Sequence, residues 1–207
     1  MATTTNYGWT TPDNTDLVKD GALAIRTLGS AIDTSMNTAL GTKKAMGVLL
    51  STVTFSAVAS QSVSDVFSTT YDNYQISVAI SASAGIYAQL RLRVSGTDAS
   101  GANYDWGFNN VTPGGTAYQL AGSGSTSANF TRPSSGNESM ANFVIANPFL
   151  AKQTVWSGTT SFNDGATIAI GSVFGGRHTL TTSYTGFTLI AASGTITGTV
   201  SVYGLNK

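Results

Sequence analysis

Residues 195–204 read TITGTVSVYG, with Ile196, Val200 and Val202 at even spacing and Gly198 between them. Apolar β-branched residues at period two mark a strand with one face in a core. Chain ends usually fray, so this pattern close to the last residue points to a strand paired inside a sheet, where Tyr203 can pack. Gly198 reads as a bulge or a close-packing point.

The same period recurs upstream. Tyr74, Ile76, Val78 and Ile80 alternate with small or polar residues, and Leu90, Leu92 and Val94 alternate with Arg91 and Arg93. Further strand-like runs lie around Leu49–Phe55, Met140–Ile145, Ile168–Val173 and Phe187–Ala191. Between them stand SGTDASGANYD, TPGGTAY, AGSGSTSANFTRPSSGNES and FNDGA, all rich in turn chemistry. Roughly seven or more short strands without a second helix predict a mainly β protein, an antiparallel β-sandwich of jelly-roll-like topology over residues 43–207.

The first region differs. Residues 13–42 read as a helix, with Asp13, Asn14 or Thr15 as N-cap after Pro12 and Asp16 in the first turn. Gly41 supplies a stop, and Lys43 and Lys44 suit the negative end of the helix dipole. Val18, Gly21, Ile25, Leu28, Ile32, Ser35 and Ala39 are spaced alternately by three and four, the seam spacing of a coiled coil. A lone helix this short needs a partner in water, either the β domain of its own chain or other copies. Gly21, Ser35 and Ala39 permit close backbone approach, and Ile at both Ile25 and Ile32 favours more than two strands. The expectation is a parallel homotrimeric coiled coil with Val18, Ile25, Leu28, Ile32 and Ala39 in its seam. Residues 1–12 form a polar leader in which Tyr7 and Trp9 lack a nearby core, which makes them docking candidates.

Composition narrows the function. The 207 residues carry zero net charge and only 10% charged side chains, so the basic surface that nucleic acid requires is missing. The chain contains no cysteine, which excludes disulfides, thiolate metal sites and a cysteine nucleophile. The start, MATTTNYGW, has neither a basic nor an apolar signal region, and MGVLLSTVTFSAVA is too short and too interrupted to span a bilayer. No membrane insertion is expected.

Catalytic groups are sparse. Outside the helix the carboxylates are Asp65, Asp72, Asp98, Asp105, Glu138 and Asp164, each isolated in a turn-like stretch. Asp98 and Asp105 could converge across one loop as a glycosidase pair, although Asp in such segments is commonly a turn former. No serine stands in a G-x-S-x-G context, and GGRH is too short to cradle a phosphate. His178, the single histidine, reads as a hydrogen-bonded residue near a strand start or as a ligand gathered on a trimer axis. No catalytic residue, metal or cofactor is expected. Binding is better provided for: NYDWGFNN places Tyr104, Trp106, Asn109 and Asn110 together, and rings beside amides suit a glycan. The alternation of Tyr104, Trp106 and Phe108 equally fits one buried strand face. Trp156 reads as core.

Several segments resemble a known family. NYGWTTPDNTDLVKDGALAIRTLGSAIDTSM is similar to the N-terminal leader of tail fibres and minor tail proteins of tailed bacteriophages, especially those of actinobacteria. VFSTTYDNYQISVAI, LRLRVSGTDASGANYDW, NPFLAKQTVWSG and HTLTTSYTGFTLIAASGTITGTVSVYGLNK resemble the β domain of the same proteins, in the same order. The resemblance covers most of the chain and is weakest over residues 113–137. It implies a homotrimeric virion fibre, made in the host cytoplasm and displayed on the particle. Its leader, with Tyr7 and Trp9, would dock to another structural protein of the tail, baseplate or capsid. Its β domain would meet a host cell-surface glycan without cleaving it. The chain lacks a long repetitive shaft, so a capsid decoration or head fibre is the alternative, and a polysaccharide-cleaving tailspike a more distant one.

Overall fold

The computed structural model describes residues 2–12, 20–42, 47–163 and 169–206. The chain divides into two compact units, Met1–Ala45 and Met46–Lys207.

In the first unit, β1 (Ala2–Thr3) and β2 (Thr10–Thr11) pair antiparallel as a small hairpin. The hairpin is closed by Thr4 N donating to Trp9 O at 2.9 Å. A single helix, α1, spans Gly21–Thr42. The expected helix start at 13 and the seam residue Val18 lie outside the described residues. Ala24 is buried, and Gly21, Leu28, Ala31, Ile32 and Ser35 are half-buried. These positions share one side of the helix. The indole Nε1 of Trp9 donates to Ser35 Oγ at 2.9 Å, which ties the hairpin to that side.

Strands are the regular elements of the second unit among its described residues. In chain order they are β3 (Gly47–Val58), β4 (Ser60–Val63), β5 (Asn73–Ala82), β6 (Ala88–Val94) and β7 (Thr97–Asp98). Then come β8 (Tyr104–Val111), β9 (Ala117–Ser125), β10 (Ala128–Thr131), β11 (Ser139–Ala146) and β12 (Thr154–Asn163). The last three are β13 (Ala169–His178), β14 (Gly186–Ala191) and β15 (Ile196–Leu205). An eight-stranded sheet runs β3-β15-β5-β11-β12-β13-β8-β9, and a five-stranded one runs β10-β6-β14-β4 with β7 on β6. Every pairing in both sheets is antiparallel. The alternation forecast by sequence appears as burial: Tyr74, Ile76, Val78 and Ile80 of the large sheet join Leu90, Leu92, Phe187 and Leu189 of the small one in a single core.

β15 lies between β3 and β5, with Val200 opposite Val53 on one side and Val78 on the other. Val202 is fully buried, while Tyr203 is half-buried on the opposite face. Of the two readings of Gly198, close packing is the one that holds; the extra residue of the bulge lies opposite it, in β3. The register with β3 shifts between Ile196 and Gly198, and a Cβ at Gly198 would stand 2.1 Å from the carbonyl oxygen of Ala79.

AGSGSTSANFTRPSSGNES, read as turns, contains the end of β9, all of β10 and the first residue of β11. Alternate residues of β9 are half-buried and the strand stands at a sheet edge. Its residues are mostly small, so no apolar period betrays it. The hairpins β8–β9 and β12–β13 pair with each other and extend the large sheet by four strands beyond β11.

Candidate functional site

NYDWGFNN, apart from Asn103, lies in β8, flanked by β13 and β9. Strand geometry turns Tyr104, Trp106, Phe108 and Asn110 to one face and Asp105, Gly107, Asn109 and Val111 to the other. The first face is largely interior. Tyr104 is fully buried; its hydroxyl donates to Ala99 O at 2.8 Å and accepts from Leu92 N at 2.9 Å. Burial pushes that phenol far above its ordinary range. Asn110 is also fully buried, and its Oδ1 accepts from Ser172 Oγ. Phe108 stacks on Phe174 with centroids 5.5 Å apart.

The expected cluster of Tyr104, Trp106, Asn109 and Asn110 is therefore not one surface. Tyr104 and Asn110 face inward because the alternation that suggested a ligand platform is the period of a half-buried strand. Two of the four remain open to solvent. Trp106 is half-buried, meets Phe108 edge-on at 6.0 Å and lies over β9, where a Cβ on Gly122 would come within 2.6 Å of the indole. Asn109 is exposed on the opposite face, in register with Gln119 and Val173.

On that outer face Gly107 and Gly175 stand in register and floor a shallow hollow. Asp105 borders it. The carboxylate accepts from Arg177 Nε at 3.0 Å, from Ser123 Oγ at 2.7 Å and from Gly124 N at 3.1 Å. These donors, Ser123 foremost, hold the carboxyl below its usual range. Arg177 and Gln119 carried no signal in the sequence, because their nearness to Asp105 and Asn109 is a matter of cross-strand register.

Asp98 is engaged elsewhere. It pairs with Arg93 Nη1 and accepts from Thr188 Oγ1 at 2.7 Å. Thr188 lies between the inward-facing Phe187 and Leu189, so Asp98 sits on the outer side of the small sheet. Asp105 sits on the outer side of the large sheet, and the two carboxylates do not converge. His178 is buried in the β unit: its Nδ1 is 3.0 Å from the Tyr184 hydroxyl and its ring meets Tyr104 edge-on at 4.5 Å. Burial lowers its pKa. Trp156 is buried, as expected of a core residue. Among the described residues no group of three His, Cys, Asp or Glu side chains is placed to hold a metal.

In the first unit Tyr7 is 68% exposed and stacks on Trp9 at 5.0 Å. Trp9, read from sequence as having no local core, packs on its own helix, which leaves Tyr7 as the open ring. Of the seam residues, Leu28 and Ile32 are half-buried, whereas Ile25 and Ala39 are exposed. No helix of the described residues is long and apolar enough to cross a membrane. No protein-family model matches the chain, and no curated protein matches it significantly.

Proposed function

We propose that the chain is a homotrimeric fibre protein of a tailed-phage virion, attached through its N-terminal unit, whose β unit binds a host-surface glycan without cleaving it. The observation that carries this reading is the helix. Ile25 is 65% and Met36 54% exposed on a helix whose other side already holds the hairpin. Apolar side chains left open in this way call for a further partner. Of the expected seam, Leu28, Ile32 and Ser35 lie on the side that holds the hairpin, so the open stripe is Ile25, Gly29, Met36 and Ala39, positions that fit a repeat of three and four.

The strand orders support a jelly roll. Such a fold arranges eight strands in two sheets through two Greek keys. Here β3, β15, β5 and β11 form one set of neighbours and β4, β14, β6 and β10 the other, with the two extra hairpins inserted at β8–β9 and β12–β13. Those hairpins carry Trp106, the remaining ring for stacking on a sugar. Asp98 and Asp105 are each held by an arginine, which favours adhesion over hydrolysis.

The test is to incubate the purified protein with host cell-wall polysaccharide and follow both retention and reducing ends. Retention that is lost in Trp106→Ala, with no new reducing ends, is the expected result. New ends that vanish in Asp98→Ala or Asp105→Ala would make the protein an enzyme. Absence of retention together with tight binding to capsids would make it a decoration protein.

A further inference from the structure

We propose that the outer face of the eight-stranded sheet is an interface between copies of this chain. The inference rests on the self-association in the reading above, but not on the helix seam, since it is drawn from the β unit alone.

Register defines the face. One row of cross-strand neighbours runs over all eight strands from Thr52 through Asn142 and Thr159 to Gln119. A second row runs from Thr54 to Ala117, and a third from Leu49 to Ala121. None of the residues in these three rows is charged. The first charges on this face stand at its margins, the Asp105–Arg177 pair in the next row on one side and exposed Glu138, two residues before Met140, on the other. Apolar side chains are nonetheless open within it: Val173 is 62%, Leu49 55%, Met140 52% and Val111 47% exposed. Depletion of charge at the centre, with charges at the rim, is one mark of a protein–protein interface.

Size and chemistry choose the occupant. Seven strand spacings by three rows cover about 35 Å by about 20 Å, or roughly 700 Å². A stable complex buries about 800 Å² on each partner, so one such face meets the need of an association between copies. Its hydroxyls are partly paired with one another, Thr52 with Ser201 at 3.0 Å and Thr54 with Thr199 at 3.2 Å. Water can then leave at less cost than from unpaired groups. Tyr203 is the one aromatic residue in the three rows, which makes the face a poor stacking platform for sugar. The ring assigned to glycan, Trp106, points to the other side of the sheet.

The chain has no cysteine, so single thiols report on the face directly. Thr159→Cys lies in its middle and is exposed in the single chain; Lys152→Cys, in the exposed connection before β12, is the reference. In the full-length protein at tens of micromolar, Thr159→Cys is expected to react with a maleimide at least about tenfold more slowly than Lys152→Cys. Adding Met140→Glu and Val173→Glu should restore the faster rate and reduce the mass measured by sedimentation. Equal rates for the two thiols in a protein that sediments as an oligomer would overturn the proposal while leaving helix-mediated association standing. A monomer at that concentration would overturn both. Protection that appears only on adding cell-wall polysaccharide would overturn it in favour of a glycan on this face.

Discussion

His178 sits against the Tyr104 ring and within hydrogen-bond distance of the Tyr184 hydroxyl. Charging it there means moving an imidazolium into a buried site, and desolvation holds its pKa below the ordinary value. The unfolded chain takes up that proton at about pH 6.5, whereas the folded chain takes it up lower. Stability is therefore full above about pH 6.5, falls as the pH drops below it and levels off beneath the depressed folded value. Because the chain has one histidine, the thermal midpoint between pH 8 and 5 should carry this slope, and His178→Asn should flatten it. An unchanged slope in the variant would show that the buried ring is not its source. Gly198 gives a second residue-scale expectation: Gly198→Ala sets a Cβ against the Ala79 carbonyl and should cost about 1–3 kcal/mol by denaturant melt. The crowding at Gly198 was legible, since a glycine within a β-branched run has few other uses. The split of NYDWGFNN between two faces was not. Period two says that Tyr104, Trp106, Phe108 and Asn110 share a face, but only the second sheet decides which face is interior.

Strands whose two faces differ in polarity announce themselves. β5, β6 and β15 were readable because one face of each is core and the other carries polar or small residues. Edge strand β9 and the short β4 were not, since little apolar surface distinguishes their faces. The hairpin β1–β2 escaped notice because two-residue strands leave no period at all. β15 also tests how far one element supports the unit. Removing residues from Val202 onward strips β3 and β5 of their shared partner along four registers each, Val202 to Leu205. It also empties a fully buried core position. The truncated protein should fail to fold cooperatively, while Val202→Ala, which keeps the backbone ladder, should lose only about 2 kcal/mol. A wild-type-like melt from the truncated chain would contradict the central place of β15.

At the scale of the whole molecule, the two units answer to different forces. The β unit has a core of its own, from Phe55 to Val202, so a change on α1 leaves the residues of that core in place. Ile25 is the position for doing so, because it is exposed in the single chain and its replacement removes nothing that the chain itself relies on. An aspartate brought to a helix–helix seam would be desolvated without a partner, at several kcal/mol per copy. Ile25→Asp should therefore raise the concentration at which the oligomer dissociates in a sedimentation dilution series, with the β-unit melt unchanged at high concentration. Complete dissociation should need the outer-face changes Met140→Glu and Val173→Glu as well, if the large sheets also meet. Three linked sites bind a polymer more tightly than one by about 10²–10⁴ where geometry permits. The combined variant should accordingly lose its hold on cell-wall polysaccharide even though each Trp106 is intact. Unaltered retention by a monomeric variant would show that one β unit binds strongly by itself, and would remove multivalency from the account.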